Sequence, residues 1–472
     1  MKKILIISII GLLILSGIGV SSLPFKKTNS VSTSADGYDM VIIAPETFSN
    51  ALQSLIDHKN SVGIKTFLKT TENIYSSYNG RDKPEQIKYC IKDIIETYNI
   101  TYVLLVGGRI KQSFKWYIPP RYSHVDDGFL EKEIISDLYY ADIYKKDHTF
   151  EDWDSNGNGI YAEWIDDNPV DSMDLIPDIS LGRLPCRNIG EVEDIVQKII
   201  NYENNAYEKN WFNNILLVGG DTNPGVGDPF PFEGEEECEW VLKYLDGFIP
   251  TRLYVSDESL SGPDNFISAF NKGNGFVYFA GHGLPDELKT FLPNSSEEVQ
   301  VFHNKYISEL NNNDMFPITI VGCCATTNYD VGILDFLRIF KNMARYHHFS
   351  TFKHFCVSDC IGWNMVKKTD GGSIAHIGSS STAWGEVGDK NTDGIPDGVQ
   401  TGLTSGLCTE FFRIFGEEEK TIIGDIFSET LTNIIHDFTG DFSGEDDRIQ
   451  CKCIQEFQLI GDPSLKIGGY AI

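Results

Sequence analysis

The sequence predicts an α/β protein with mostly parallel sheets flanked by helices. Short apolar runs alternate with amphipathic, helix-like segments along most of the chain. Apolar residues make up 41% of the 472 residues and charged residues 23%, a composition that supports a sizeable buried core. Strands that alternate with helices usually form parallel sheets, because each helix carries the chain back to the edge where the next strand begins.

The first series of elements occupies the N-terminal third of the chain. Residues 40–44 form a short apolar run that predicts a buried strand, and 51–58 have helical spacing. A second strand is predicted at 64–68, and 84–98 place four isoleucines on one face of a helix. A third strand at 101–106 completes a strand–helix order that favours a parallel sheet.

A second series follows a loop-rich stretch at 109–175. A strand at 179–184 and an amphipathic helix at 191–203 lead into a polar connection. We therefore expect one α/β subdomain at 38–205 and a second at 206–472. The core segments predicted for the second subdomain are 215–218, 240–245, 276–279, 318–321 and 373–377.

The N-terminus has the pattern of an export signal. Two lysines precede an apolar stretch at 4–20, and small serine residues follow it. This pattern predicts a signal peptide at 1–23 and a linker at 24–37, and therefore a secreted or cell-surface protein. An uncleaved anchor is the alternative, and only in that case do we expect contact with a membrane.

The charge argues against a nucleic-acid-binding protein, and the spacing of the cysteines argues against a structural zinc site. The formal net charge of −29 is the opposite of a basic nucleic-acid-binding surface. The ten cysteines show no CxxC-type zinc spacing. Cys451 and Cys453 lie two residues apart, in a run that is typical of a strand.

Three predicted strand ends carry the residue types of a nucleophilic hydrolase. Asp221, His282 and Cys324 each follow an apolar run of the second subdomain, and such strand ends meet at one edge of a parallel sheet. An imidazole can activate a thiol and later protonate the leaving amine, and a carboxylate can orient the imidazole. The N–H groups of Gly283 and Cys324 are candidates for an oxyanion hole. Each residue taken singly is more often structural, so the prediction depends on their common placement.

The motif GFVYFAGHG followed by FPITIVGCCATT resembles the catalytic core of the gingipain-type cysteine peptidases, within the caspase-like clan. Further similar segments, such as TYVLLVGG, PDISLGRLP and FQLIGDPSLKI, extend the resemblance over most of the chain. The resemblance implies a caspase/gingipain-like fold of two side-by-side, mostly parallel sheets flanked by helices.

The same resemblance implies a role for each candidate residue. His282 matches the base and Cys324 the nucleophile, while Cys323 occupies a small-residue position of the family's pattern. Asp221 matches the acidic partner of the histidine. Trp384 lies where the family has an aromatic wall of its primary specificity pocket, although simple core packing is the alternative for this residue.

Substrate preference is predicted from an acidic segment. Family members with basic specificity place an acidic side chain in this pocket, and Glu235 or Glu237 is the candidate here. A carboxylate there would favour Arg or Lys at P1 through a charge-assisted bond. The alternative is a solvated acidic helix start, stabilised by the helix dipole.

Two insertions depart from the family's pattern. The stretch between His282 and Cys324 is longer than in the named peptidases, and a further insertion at about 326–357 carries His347 and His348. We expect these insertions to reshape or cover the substrate cleft.

Two loops match the alternating oxygen-ligand pattern of calcium sites. The predicted ligands are Asp152, Asp154, Asn156, Asn158 and Glu163 in the first loop and Asp389, Asn391, Asp393, Ile395 and Asp397 in the second. A polar turn is the alternative for each loop. Calcium would brace the loops structurally, and no organic cofactor is expected.

The leading functional hypothesis is a secreted cysteine endopeptidase that hydrolyses protein or peptide substrates through a thioester intermediate. The alternative is a surface binding or adhesion protein that retains the peptidase fold without turnover. The sequence contains neither the HExxH motif of many zinc peptidases nor the GxSxG elbow of serine hydrolases.

Overall fold

The computed structural model consists of a large central sheet with helices on both faces. It describes residues 37–126, 133–223, 230–337, 355–390, 392–437 and 444–471. The strands are β1 (Met40–Ala44), β2 (Thr66–Thr70), β3 (Tyr102–Val106), β4 (Arg121–Ser123), β5 (Ile134–Ser136), β6 (Trp164–Ile165), β7 (Asn168–Pro169), β8 (Ser180–Leu184), β9 (Asn214–Gly219), β10 (Ile249–Tyr254), β11 (Phe276–Ala280), β12 (His282–Leu284), β13 (Glu287–Phe291), β14 (Glu298–His303), β15 (Ile318–Gly322), β16 (Ala375–Ser379) and β17 (Phe457–Ile460). The helices are α1 (Ser49–Ser61), α2 (Thr71–Ser77), α3 (Lys83–Tyr98), α4 (Ile189–Asn205), α5 (Glu233–Leu242), α6 (Pro263–Phe270), α7 (Ile361–Lys367), α8 (Thr404–Glu417), α9 (Ile423–Asp437) and α10 (Glu445–Glu456).

Ten strands form the main sheet in the order β10-β9-β11-β15-β16-β17-β8-β3-β1-β2. Neighbouring strands are parallel except for β16 and β17, which are antiparallel. The predicted α/β class is therefore confirmed, but the two predicted sheets form halves of one continuous sheet. The short strand β17 joins them, since it pairs with β16 on one side and β8 on the other, so neither half keeps an open edge at the join.

The apolar runs explain the strands, and local capping explains where helices begin. Strands β1, β11 and β16 are buried along their whole length, as expected for parallel strands covered on both faces. Asp82 accepts a hydrogen bond from the N–H of Glu85 at the start of α3, and Asn188 does the same for Glu191 at the start of α4. These caps fix the two long helices of the N-terminal half.

One local prediction was wrong. Cys451 and Cys453 lie on helix α10 rather than on a strand, and both are buried against the core. The predicted core segment 240–245, for which the sequence left the type of element open, contains the end of helix α5, which begins at Glu233. A short apolar run does not distinguish a buried helix from a buried strand, and only packing decides between them.

The described residues from 37 onwards form one compact unit that contains the described parts of both predicted subdomains. Helix α4 ends at Asn205, where the boundary between them was expected. The predicted signal peptide and almost all of the linker lie outside the described residues, as do His347, His348 and Asn391. Among the helices described, none combines the length and apolar character that a membrane crossing requires.

Candidate active site

The three predicted catalytic side chains follow neighbouring strands at the same edge of the sheet. Strand β11 pairs in parallel with β9 on one side and β15 on the other. In the register of these pairs, Asp221, His282 and Cys324 occupy the same level beyond the strand ends. Adjacent strands lie about 4.8 Å apart, so the topology brings the three positions together.

A cavity of about 540 Å³ opens at this edge of the sheet. His282 and Cys324 both line it, together with Trp384 and Glu237. Its described lining includes two carboxylates, those of Glu237 and Glu386, and no lysine or arginine. The cavity therefore combines a thiol and an imidazole with an acidic wall.

The hydrogen bond of His282 determines which ring nitrogen can act as a base. Its Nε2 lies 2.6 Å from the carbonyl oxygen of Thr222. A carbonyl can only accept, so Nε2 carries the proton and Nδ1 of the neutral ring keeps its lone pair. Burial lowers the pKa of His282, and the bond to Thr222 opposes that shift only partly. The neutral form that a base requires is thus favoured.

The two adjacent cysteines lie in different environments. Cys324 is half-buried, and its Sγ accepts a hydrogen bond from the N–H of Ala383 at 3.3 Å. Cys323 also borders the cavity, but it is only 2% exposed and packs in an apolar cluster, and burial raises its pKa well above the usual thiol range. The chain then turns sharply at Ala325, whose left-handed φ of 55° is held by a 2.8 Å bond to the carbonyl of Ser381.

Gly283 lies directly against the backbone of the predicted nucleophile. A Cβ atom at this position would stand 2.3 Å from the carbonyl oxygen of Cys324, so only glycine permits this close approach. The cavity wall next to the predicted catalytic pair contains Gly281 and Gly322. The oxyanion role of the Gly283 and Cys324 N–H groups stays a prediction.

Asp221 is fully buried beside the histidine. Its Oδ1 accepts a hydrogen bond from the N–H of Asn223 at 3.0 Å, and its Oδ2 accepts one from Asn294 at 3.1 Å. Its backbone also bridges to Phe291 of β13. Among the causes that act on the pKa of His282, burial is the largest and the charge of Asp221 is a smaller, opposing one.

The structure separates the two candidate specificity carboxylates. Glu237 lines the cavity that contains Cys324, and its carboxylate accepts hydrogen bonds from Ser405 at 2.8 Å and Tyr278 at 3.3 Å. Burial raises the pKa of Glu237 to about 7. Glu235 instead lines a different cavity and accepts a bond from the N–H of Ser256 at 2.9 Å. Only Glu237 therefore fits the predicted pocket.

Trp384 has a position that is compatible with both alternatives left open by the sequence, and its role as a wall of the specificity pocket stays a prediction. It lines the cavity beside Cys324, and it also packs against the main hydrophobic core. Its carbonyl accepts a hydrogen bond from the N–H of Thr404 at the start of α8, which holds this side of the cavity in place.

The insertion between His282 and Cys324 forms the small antiparallel sheet of β12, β13 and β14. Phe291 at the end of β13 packs edge-on against the imidazole of His282, with ring centroids 5.3 Å apart. The insertion therefore forms part of the wall behind the predicted base.

The two predicted calcium loops share one backbone pattern. In the second loop, the carboxylate of Asp389 accepts hydrogen bonds from the N–H groups of Asp393 and Gly394. In the first loop, Asp154 accepts the equivalent bonds from Asn158 and Gly159, each at 3.0 Å. This equivalence places the start of the first loop at Asp154, two residues later than the sequence motif placed it.

The remaining predicted ligands of the first loop follow from this shift. Asp152 and Asp154 both form ion pairs with Arg81, at 3.1 Å and 2.7 Å. Glu163 accepts hydrogen bonds from the side-chain amides of Asn156 and Asn158. Within the residues that the structure describes, no three Asp, Glu, His or Cys side chains converge as a metal-binding group.

Each loop also has a carboxylate near its end that accepts a hydrogen bond from a backbone N–H near its start. Asp171 accepts a hydrogen bond from the N–H of Ser155, as Asp397 does from Lys390 in the second loop. Asp393 accepts one from the N–H of Ile395. All candidate donors of both loops are oxygen atoms, which is the chemistry that calcium requires.

Sequence reasoning missed several residues of the site. Thr222 adjoins Asp221 and could have been found from that position alone. Tyr278 and Ser405, which hold Glu237, are distant in sequence from that residue, and Phe291 reaches the imidazole only through the fold of the small sheet. No pattern in a single sequence marks such contacts.

Comparison with known proteins places the chain among peptidases. A family profile described as Peptidase family C25 matches residues 33–468. An uncharacterised protein from Archaeoglobus fulgidus is 23% identical over 309 residues, which cover 62% of this chain and 68% of that protein. Gingipain R2 from Porphyromonas gingivalis is 22% identical over 294 residues, 61% of this chain but only 32% of that protein.

Solved structures share the fold at low sequence identity. The crystal structure of the Arg-specific cysteine proteinase gingipain R superposes with a TM-score of 0.61 and 18% identity, over 93% of this chain and 79% of that one. The complex of the pro- and mature domains of Porphyromonas gingivalis RgpB gives a TM-score of 0.58 and 18% identity, over 91% and 79% of the two chains. These likenesses confirm the gingipain-like fold.

Proposed function

From the premise that the chain belongs to peptidase family C25, we propose that it is an active cysteine endopeptidase with Cys324 as nucleophile and His282 as base. The observation that carries the proposal is the common cavity at the sheet edge, which both side chains line. A peptidase acts on proteins or peptides, and the export signal predicted at the N-terminus makes these extracellular.

The arrangement supports the following chemistry. Nδ1 of His282 takes the proton of Cys324, and the thiolate attacks the scissile carbonyl. The imidazolium then donates its proton to the leaving amine, which leaves a thioester that water hydrolyses with the same imidazole as base. The Thr222 carbonyl and the buried charge of Asp221 both favour the imidazolium that forms in between.

A preference for Arg or Lys at P1 follows from Glu237. Its carboxylate is buried in the wall of the same cavity, and no lysine or arginine among the described lining residues competes for it. A cationic side chain in the cavity would form a charge-assisted bond there. Glu235 lies in a separate cavity and is no longer a candidate.

The test is hydrolysis of fluorogenic peptides that differ only at P1, with Arg, Lys, Asn or Asp. We expect Cys324→Ala to abolish turnover, because the nucleophile is lost, whereas Cys323→Ala retains most of the activity. Circular dichroism and the unfolding temperature check that both variants fold. Turnover that survives in Cys324→Ala would contradict the mechanism, and a wild-type protein that binds but never cleaves would favour the adhesion hypothesis.

We further propose that calcium binds the second loop through oxygen donors of Asp389, Asp393, Asp397 and Ile395, with Asn391 as a further candidate outside the described residues. The donor chemistry supports this proposal. In the first loop the proposal concerns the frame that begins at Asp154, because the backbone hydrogen bonds that Asp154 accepts match those of Asp389 in the second loop. When bound, the ion would supply cross-links within the loops and would take no part in peptide hydrolysis.

A further inference from the structure

Glu233 is a buried carboxylate that the proposed reaction leaves without a role. It is the first residue of helix α5 and is 2% exposed. Its Oε1 accepts two hydrogen bonds from one residue, from the N–H of Thr222 at 2.9 Å and from the Thr222 hydroxyl at 2.8 Å. Two bonds to a single neighbour fix that neighbour in both position and orientation.

Thr222 is also the residue that contacts the imidazole. Its carbonyl oxygen accepts the hydrogen bond from Nε2 of His282 at 2.6 Å. The chain of contacts therefore runs from the Glu233 carboxylate to the N–H and hydroxyl of Thr222, and from the Thr222 carbonyl to the base. The N–H of Asn223 belongs to the same peptide group as that carbonyl and donates to Asp221, so the two carboxylates hold Thr222 from its two sides: Glu233 at its N–H and side chain, and Asp221 at the following peptide group.

The orientation of Thr222 has a chemical consequence. The carbonyl keeps a proton on Nε2 and so leaves Nδ1 as the acceptor for the thiol proton. If Thr222 moved and its carbonyl turned away, Nε2 would lose its acceptor, and the ring could turn or adopt the other tautomer. A general base in the wrong tautomer loses most of its catalytic effect.

We infer that Glu233 is a positioning residue of the active site, which holds the Thr222 carbonyl against His282 and thereby sets the orientation and tautomer of the base. This inference rests on the proposed cysteine-peptidase function. Helix α5 then contributes two residues to the site. Glu233 holds the base through Thr222, and Glu237, one turn later, lines the cavity.

The experiment compares Glu233→Ala with Glu233→Gln, whose amide oxygen can still accept both bonds from Thr222. Glu236→Gln is the matched control, because Glu236 lies on the same helix but is exposed. We measure kcat and KM with each P1 residue, and the pH dependence of Cys324 alkylation by iodoacetamide in the Cys323→Ala background. Alkylation reports the thiolate directly and does not require peptide turnover.

We expect Glu233→Ala to lower kcat roughly 10- to 100-fold for every P1 residue, with KM nearly unchanged. This loss is at or below the lower end of the roughly 100- to 10,000-fold contribution of general acid–base catalysis, because the base is displaced and not removed. Its alkylation profile should move to higher pH. Glu233→Gln should recover most of both properties, and Glu236→Gln should match the wild type. If Glu233→Ala does not fold, Thr222→Val replaces it in the experiment. This variant removes the hydrogen bond from the Thr222 hydroxyl to Glu233 and should lower kcat in the same way.

Two results would overturn the inference. One is an unchanged kcat and alkylation profile in Glu233→Ala. The other is a rise in KM confined to Arg and Lys substrates, which would make Glu233 a specificity carboxylate. If the wild-type protein cleaves no peptide, the proposed function fails separately, and the alkylation profiles still decide whether Glu233 acts on the thiol through His282.

Discussion

At the scale of single residues, burial determines the chemistry of the site more than sequence neighbourhood does. Cys323 and Cys324 are adjacent, yet Cys323 packs in an apolar cluster while Cys324 is half-buried in the cavity wall. A thiolate is costly in an apolar environment, so the reactive thiol is expected to be Cys324. The same argument separates Glu235 from Glu237, which lie two residues apart but line different cavities.

Glu237 should make the preference for basic P1 residues depend on pH. Burial raises its pKa to about 7, so the carboxyl group is mostly protonated below that pH and ionised above it. The ratio of kcat/KM for Arg over Asn substrates should therefore rise as pH increases through 7. A charge-assisted bond is worth about 1.5 kcal/mol or more, which corresponds to roughly tenfold in this ratio.

The ratio of kcat/KM for Arg over Asn substrates isolates the effect of Glu237, because the titration of His282 affects both substrates equally and cancels. We expect Glu237→Gln to give a flat ratio between pH 5.5 and 8.5, whereas Glu235→Gln keeps the rise of the wild type. A wild-type ratio that does not change with pH, or a Glu237→Gln variant that retains the preference for Arg, would contradict this role.

At the scale of elements, the insertions and loops around the sheet edge complete the site. The small sheet of β12 to β14 begins at His282 and places Phe291 against its ring. The second candidate calcium loop lies between Trp384 and helix α8, and a short 3₁₀ turn at Asp397–Gln400 leads from it towards α8. A change in the order of this loop would therefore reach the cavity wall.

Calcium removal should lower thermal stability. A ligand that binds only the folded state stabilises it by about 2.7 kcal/mol at a free concentration of about 100 times its Kd. We expect the unfolding temperature to fall when calcium is replaced by a chelator, and calorimetric titration to show binding. Asp393→Ala should remove the part of the calcium binding, and of the calcium-dependent rise in unfolding temperature, that comes from the second loop.

Asp152→Ala is the matched comparison for the first loop. If that loop begins at Asp154, as its hydrogen bonds indicate, Asp152→Ala should retain calcium binding while Asp154→Ala loses it. An unfolding temperature that is the same with calcium and with chelator would remove the calcium proposal altogether.

At the scale of the whole molecule, a buried ion-pair cluster joins distant parts of the chain. Lys59 of α1 lies 2.8 Å from both Glu203 of α4 and Asp462, which follows β17, and all three side chains are fully buried. Burial opposes the charge on Lys59, but the two carboxylates outweigh it and raise its pKa. Burial likewise opposes ionisation of Glu203, and its cationic neighbour Lys59 nevertheless lowers the pKa of that carboxyl.

Lys59→Met should cost roughly 3–5 kcal/mol of unfolding free energy, because it removes the buried cation that Glu203 and Asp462 share, and leaves Glu203 with His58 and a backbone N–H as its remaining partners. The wild-type contribution of Glu203 is present above the ordinary carboxyl pKa and is lost as pH falls through the lowered value. In Lys59→Met the effect of burial on the Glu203 carboxyl is no longer outweighed by the lysine, so its pKa should be raised instead of lowered. The variant should therefore gain stability as pH falls from 7 towards 5. Urea unfolding at several pH values measures this slope.

Lys92→Met is the control, since Lys92 pairs with Glu96 at the surface of α3 and should contribute less than about 1 kcal/mol. Equal losses in the two variants would contradict the importance of the buried cluster. The wild type should unfold in one cooperative transition, because strand β17 and this cluster both connect the two halves of the sheet.

The sequence alone determined the α/β class, most strand and helix positions, the family and the candidate residues at three strand ends. These properties follow from local patterns, namely apolar periodicity, helix caps and motifs within a few residues of one another. Only the tertiary structure decided that the two predicted sheets are one, that Cys451 and Cys453 lie on a helix, and that Glu237 rather than Glu235 faces the cavity. It also brought Thr222 to His282 and Glu233 to Thr222. Such contacts join residues that are far apart along the chain, and their energies depend on burial and on geometry of a few tenths of an ångström, which no local pattern records.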